Sequence, residues 1–507
     1  MSSLTKTFVA LISSRLIVAI TGLVTMPLFL KLLGAHDFGV VGFFLTLQVL
    51  VNFLDLGMGT ALIRKISTFR LHESLIASNY AKAFEAIYFV MAICIAAILY
   101  FLSPSIAEHW LNAKSALDSD LAYHLRLAAF CVCLNWFSSI HAAMMTGLER
   151  QYQLAFLQAI FALLRAFVPL ASLYWYGISL SVFFISQLAV AVLQVVWFRA
   201  TAYKYLQSTS SDWISNLKLI KEDLGFATGM FGITITTLLV TQTDRLILSK
   251  MLSLSDFGLY ALCVTLASGI YIVVQPLFNL LYPRFNRLIT EQDQSELTRL
   301  FHLGAQIVAT LILPISALLI VFAPEVLWIW TAQESVVEQG TLILRLMVAA
   351  NAINAVMNLP YCLQLATGWT SLALKVNIFA LFLMLPVMVW GVNSFGAAGG
   401  AAVALMLHVC ILIFVPRITF ARFLGIHPRK WLINDTMAPL LGCLLVMLPI
   451  AAIGYFPLNR LLGLLALLLI LILGSVAALL LASQMRIFIQ GRIAHHYSIL
   501  FKKGELK

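Results

Sequence analysis

The chain has 507 residues, of which 62% are hydrophobic and only 10% charged, with a mean hydropathy of +0.98. A water-soluble domain carries about 25% charged residues, so this composition excludes a soluble enzyme or binding module and puts the chain in a membrane. The net charge of +11 collects in short loops on one side, which is a topology signal rather than a nucleic-acid footprint.

Separate apolar runs of ~20 residues, each long enough to cross the hydrocarbon core as a helix, predict an all-α polytopic membrane protein. There are fourteen: 8–30, 38–62, 83–102, 121–147, 154–176, 178–198, 224–249, 257–281, 301–323, 341–363, 372–391, 396–416, 436–456 and 461–484. The alternating strands of a membrane barrel are absent. The first run carries Arg15 and is longer than the apolar region of a signal peptide, so it reads as a retained helix. Loops are short, and the longest, with Ser208-Thr209-Ser210-Ser211, falls midway along the chain.

One side of the predicted membrane receives Arg64, Lys65, Arg150, Arg199, Arg284, Arg287 and both basic tails. The other receives only Lys31, Lys114, Lys250 and Arg460, beside acids such as Glu108, Asp120, Glu325 and Glu334. Positive loops stay inside, so both termini are expected in the cytoplasm. Trp110, Trp175, Trp330 and Trp390 fall near predicted span ends, where an aromatic belt belongs.

The chain repeats itself at a constant offset of 219 residues. Lys31-Leu32-Leu33 and Asp37-Phe38-Gly39 return as Lys250-Met251-Leu252 and Asp256-Phe257-Gly258, Leu125-Arg126-Leu127 as Leu344-Arg345-Leu346, and Asn135 as Asn354. Tyr176-Gly177 matches Phe395-Gly396, while Pro104 and Trp110 match Pro324 and Trp330 at 220. Six spans therefore answer six. An even number inserts both copies the same way up, which puts a substrate site between parallel repeats near the midplane. The expected organisation is an N-terminal lobe over 1–200, a linker over 201–223, a C-terminal lobe over 224–420, and two additional helices with a basic tail over 421–507.

Five arginines fall inside predicted spans: Arg15, Arg126, Arg165, Arg245 and Arg345. Each costs about 2.5–3.5 kcal/mol at the bilayer centre on insertion scales. Arg126 and Arg345 lie one turn inside the outer ends and are read either as snorkelling or as functional. Arg15 lies two turns from the cytoplasmic end, with the same two readings. Arg245 has Asp244 beside it and is read as an ion pair or as functional. Arg165, near mid-span, is the hardest to explain structurally. Acids in spans are fewer: Asp55, Asp244 and, near a boundary, Glu85. The interior is thus cationic and its expected ligand anionic, with the arginine fork suited to phosphate. Asp55 and Asp244 are candidates for a coupling proton or sodium ion, Asp55 equally for an arginine partner. Gln187, Gln194, Asn351 and Asn354 are among the uncharged polar residues in spans, read as interhelical contacts or as donors to sugar hydroxyls. The seven cysteines show no metal or redox spacing. There is no Gly-rich phosphate loop or catalytic constellation, so no cofactor, metal or catalytic residue is expected.

Leu33-Gly34-Ala35-His36-Asp37-Phe38-Gly39, followed by Leu54-Asp55-Leu56-Gly57 and Ala61-Leu62-Ile63-Arg64, resembles the N-terminal signature of bacterial polysaccharide flippases. These are the O-antigen and exopolysaccharide repeat-unit translocases of the multidrug/oligosaccharidyl-lipid/polysaccharide exporter superfamily. The resemblance implies a protein of the bacterial inner membrane that moves an undecaprenyl-pyrophosphate-linked oligosaccharide to the periplasmic leaflet. It also implies a cationic central cavity, alternating access between lobes, and contact with membrane lipid and with polysaccharide polymerase or assembly proteins. The signature does not contain the five arginines. Two rivals remain: an ion-coupled multidrug exporter of the same superfamily, which needs a carboxylate-lined lumen, and a polysaccharide polymerase or ligase, which usually needs a long outer loop.

Overall fold

The structure, a computed structural model, describes residues 3–55, 57–68, 74–111, 120–206, 238–239, 241–425, 427–454, 456 and 459–487. Among the described residues there are helices and no strand, as expected where lipid offers the backbone no hydrogen-bond partner. The helices are α1 (Ser3–Asn52), α2 (Met58–Thr68), α3 (Ser74–Ser105), α4 (Leu121–Gly147), α5 (Gln151–Tyr176), α6 (Leu180–Tyr203), α7 (Leu254–Ser268) and α8 (Tyr271–Thr290). They continue as α9 (Gln294–Val321), α10 (Ala323–Thr331), α11 (Glu334–Ala366), α12 (Thr370–Phe423), α13 (Ala438–Ala452) and α14 (Arg460–Leu481). A further helical stretch, 241–251, precedes α7.

Among the described residues, ten helices are long and apolar enough to cross a membrane, or eleven when the bent pair α7 and α8 is one span. Two of the ten are double. α1 turns at Gly34 (φ +82°) and α12 at Gly396 (φ +57°), so predicted spans one and two share α1, and eleven and twelve share α12. The seventh predicted span and the expected linker lie largely outside the described residues. The predicted span 38–62 is not continuous. α1 stops at Asn52, a single tight turn covers Phe53–Asp55, Gly57 takes φ +82°, and α2 starts afresh.

By internal contacts the chain forms two units, Met1–Leu262 and Cys263–Lys507. In the first, α4 packs against α6, α3 and α2, while α1 lies along α5. Its interior is aromatic: Phe29 meets Phe183 and Phe44 meets Phe184 edge to face, at 5.2 and 5.5 Å between ring centres. In the second, α11 packs against α12, α9 and α8, around Phe285, Phe301, Phe420 and Trp431. α13 and α14, which have no counterpart in the repeat, seat Cys443, Met447, Leu467 and Ile470 against Ala317 and Phe322 of this unit. The wider π-type winding at Trp431–Met437 aims Asp435, 2% exposed, at α9, where it meets His302 and accepts from Gln306 Nε2 at 2.8 Å.

The repeat is visible in the backbone. Gly177 and Gly396, equivalent at offset 219, both sit at positive φ, +99° and +57°, where a side chain would be strained. The two copies of the Asp-Phe-Gly turn meet each other within the first unit. A Cβ on Gly39 would run into the Leu254 carbonyl. One on Gly258 would lie 2.9 Å from Gly39 N and 3.0 Å from the Ala35 carbonyl oxygen, and one on Gly42 would lie 3.0 Å from Ala261 Cβ. The glycines of the triplet are there for backbone approach. Gly39→Ala should therefore lower thermal stability in detergent by about 1–3 kcal/mol, the usual cost of overpacking. Gly22→Ala, at a helical position with nothing within 4 Å, should leave it unchanged or slightly raised. Equal melting of the two variants would refute the close-approach reading.

Candidate anion-binding cavity

The first unit encloses a cavity of about 470 Å³ between α1, α4, α5 and α6. Each helix contributes one face. α4 presents Asn135, Ser138, Ser139 and Ala142, and α5 presents Gln158, Phe161, Ala162 and Arg165, both at helical i, i+3, i+4, i+7 spacing. α1 adds Ser14 and Arg15, and α6 adds Gln194 and Phe198. A second cavity of about 240 Å³ also has Arg165 and Asn135 in its wall and is lined further by Thr21, Thr25, Gln48 and Gln187. Among the described residues, no Asp or Glu lines either one.

Arg165 is held by helix chemistry that can be read step by step. Pro169, four residues on in α5, has no N–H to donate to the Arg165 carbonyl. Gln187 Nε2 of α6 takes that freed oxygen at 3.0 Å. The guanidinium Nη2 donates to Gln194 Oε1, and Gln194 Nε2 donates to Ser138 Oγ at 2.6 Å. Ser138 in turn donates to the Asn135 carbonyl at 2.7 Å. Arg165 Nε and Asn135 Oδ1 are buried with no protein partner among the described residues. An unsatisfied buried donor of this kind costs ~1–3 kcal/mol, which a bound acceptor would recover. Arg165 makes a neutral contact where a structural arginine would have a carboxylate.

The other arginines of the sequence reading have different places. Arg15 lines the same cavity as Arg165. Arg345 Nε donates to the Ile320 carbonyl at 2.9 Å, the oxygen left without a helical donor by Pro324 four residues later. Its repeat partner Arg126 lies over the Tyr100 ring, 4.8 Å from the centre, and Tyr100 is four residues before Pro104. Each copy thus sets an arginine on the residue four before an equivalent proline, within its own unit. The half-buried Arg245 lines neither cavity. Its neighbour Asp244 accepts from the Tyr260 hydroxyl at 2.8 Å.

Asp55 lines neither cavity. It accepts from Gly59 N at 3.2 Å, capping the start of α2, and from the Tyr88 hydroxyl, while Tyr88 stacks on Trp136 at 4.8 Å. A carboxylate at a helix N-terminus is favourable on its own account. A stronger polar cluster joins residues far apart in the sequence. Glu85 of α3 accepts from His141 Nε2 of α4 at 3.0 Å, and from Arg199 Nε and the Tyr203 hydroxyl of α6 at 2.6 and 2.5 Å. His141 is fully buried. Nothing in local spacing links residues 56 and 114 positions apart; the only signal was a charge near a predicted span boundary. Among the described residues, no group of three or more His, Cys, Asp or Glu side chains could hold a metal ion.

The fold and cavity define a multi-pass helical membrane protein of the transporter type. A family model described as "Polysaccharide biosynthesis protein" matches residues 4–289, and the chain belongs to that family. Among curated proteins it is similar to a "Putative O-antigen transporter" of Salmonella typhi, 21% identical over 308 residues, covering 57% of this chain and 67% of that protein. Among solved structures it is similar to "Lipid II flippase MurJ, inward closed conformation", with a TM-score of 0.67 at 12% identity, covering 96% of this chain and 99% of that one. It is also similar to an inward-facing multidrug resistance MATE family transporter of the MOP superfamily, with a TM-score of 0.64 at 13% identity, covering 82% and 98%. At these identities the two structures establish the fold alone.

The two kinds of arginine should separate in stability. Arg345→Ala leaves the Ile320 carbonyl unpaired and should cost ~1–3 kcal/mol. Arg165→Ala removes a buried charge that has no counter-charge, and should change unfolding by less than about 1 kcal/mol, since that charge was costly to bury. Thermal melts of the purified variants make the comparison. A large loss for Arg165→Ala would mark it as a structural clamp.

Proposed function

We propose that the chain is a flippase for an undecaprenyl-pyrophosphate-linked oligosaccharide, an O-antigen or exopolysaccharide repeat unit, moving it from the cytoplasmic to the periplasmic leaflet. One observation carries this reading: a cavity among predicted membrane helices, walled by Arg15 and Arg165 with Asn135, Ser138, Ser139, Gln158 and Gln194, and without a carboxylate among the described residues. Two guanidinium groups provide the positive field and forked donors that a diphosphate needs. The amides and hydroxyls beside them suit sugar hydroxyls. The polyprenyl tail stays in lipid, and the site opens first to the cytoplasm and then to the periplasm by rocking of the lobes.

Supporting this are the family, the O-antigen transporter relatives and the flippase fold. The chain is read as a carrier rather than an enzyme, in the bacterial inner membrane with both termini cytoplasmic, working beside the polymerase that consumes its product. A multidrug exporter of the same superfamily would need carboxylates where this cavity has arginines. Any coupling ion would be a proton or sodium, and among the expected carboxylates Asp244 is the freer candidate. Its Oδ1 is buried without a partner among the described residues, whereas both oxygens of Asp55 are engaged.

Deleting the gene should make lipid-linked repeat units accumulate on the cytoplasmic face and deplete surface glycan. Arg15→Ala and Arg165→Ala variants, present in the membrane at normal levels, should each restore less than about a tenth of export, the effect of ~1.4 kcal/mol of lost interaction. Full export from the double variant would end this reading.

A further inference from the structure

Arg165 holds its charge open because of a hydrogen-bond chain whose direction is fixed at both ends. A guanidinium only donates, so Gln194 must turn its oxygen towards Arg165. At the far end Ser138 spends its single hydrogen on the Asn135 carbonyl, at 2.7 Å. Ser138 Oγ is therefore an acceptor towards Gln194, and takes Nε2 at 2.6 Å. The two constraints agree, and the amide has one allowed orientation. Gln194 is 5% exposed and Ser138 2%, so water does not compete freely for these bonds.

A carboxylate at position 194 would fit the same space. It would also neutralise Arg165, and it would set an acceptor against Ser138 Oγ, whose hydrogen is already used. Glutamine positions the guanidinium without pairing its charge, and Arg165 Nε is left buried and unpartnered. We propose that Gln194, oriented by Ser138, is the positioning and selectivity residue of the cavity. It fixes the Arg165 fork and keeps its charge available, so that the site selects a polyanion. This rests on the flippase reading above and adds to it the residue that sets the sign of the ligand.

The test uses the full-length protein in nanodiscs, with inorganic pyrophosphate as the probe at constant ionic strength, followed by calorimetry and by melting temperature. Wild type should bind. Gln194→Glu should bind at least tenfold more weakly while melting at the same temperature or higher, because it gains an ion pair. Ser138→Ala, which leaves the Gln194 amide hydrogen unpaired and frees the amide to turn, should weaken binding several-fold with a lowered melting temperature. A role in packing alone predicts that Gln194→Glu loses stability and affinity together, and that result overturns the proposal. So does pyrophosphate binding by Gln194→Glu equal to wild type, and if that variant does not fold, binding by Ser138→Ala equal to wild type overturns it instead. Should wild type ignore pyrophosphate, and Arg165→Ala export glycan normally, the flippase reading itself fails and this inference goes with it.

Discussion

A guanidinium in the middle of a membrane helix has to be solvated by something, and the protein's answer to that constraint organises the rest of its polar chemistry. Nearer the predicted span ends the solution is ion pairing with a carboxylate, where Arg199, His141 and Tyr203 converge on Glu85 and tie α3, α4 and α6 together. Carbonyl capture is another. Proline in a transmembrane helix frees an oxygen one turn earlier, and Arg345 uses the one freed by Pro324. Arg165 uses neither. It is carried by neutral amides and faces a cavity, a state that is stable only if the energy is recovered when an anion arrives.

Prolines and polar residues in these spans therefore belong to the same system. Pro169 disrupts the α5 ladder at Arg165, and Gln187 repairs it from α6. That repair fixes the main chain of the residue whose side chain Gln194 fixes. Backbone and side chain of Arg165 are thus both held from α6, so the guanidinium keeps one position relative to the cavity wall. On the flippase reading proposed above, a rigid site has an advantage, because little conformational entropy is lost on each cycle of binding and release.

The sequence carried most of the architecture because lipid makes it legible: a helix that crosses must be about twenty residues long and apolar, and loops must declare their side with lysine and arginine. The repeat was legible from residues that do not recur by chance in apolar helices, such as Arg126 with Arg345 and Gly177 with Gly396. The roles of the arginines were less so. Arg126 and Arg345 looked like snorkelling or ligand-binding residues because their partners lie on the preceding helix. For Arg345 the signal was Pro324, but a proline's freed carbonyl is four residues from the proline and invisible in a list of charges; the Arg126 contact is with the Tyr100 ring instead. Asp55 read as a coupling-ion site or an arginine partner, and its contact with the start of α2 was not legible because the break at Gly57 could not be seen in a continuous apolar run. Gln194 read as one polar residue among many, since its significance lies in which way its amide faces, and only neighbours in space determine that.

The meeting of the two Asp-Phe-Gly turns is reciprocal. Position 39 of one copy approaches the equivalent of position 35 in the other, Leu254, while Gly258 approaches Ala35 itself. Reciprocity of this kind is the mark of an isologous contact, in which one patch pairs with a second copy of itself about a twofold axis. In a dimer of identical chains, every substitution on such an axis is made twice and has to fit against itself. Joining the copies in one polypeptide removes that restriction. Ala35 now faces the copy that carries leucine, Gly42 rests on Ala261, and Asp55 has valine as its equivalent at position 274. Each copy of the turn is then free to vary its own side of the contact.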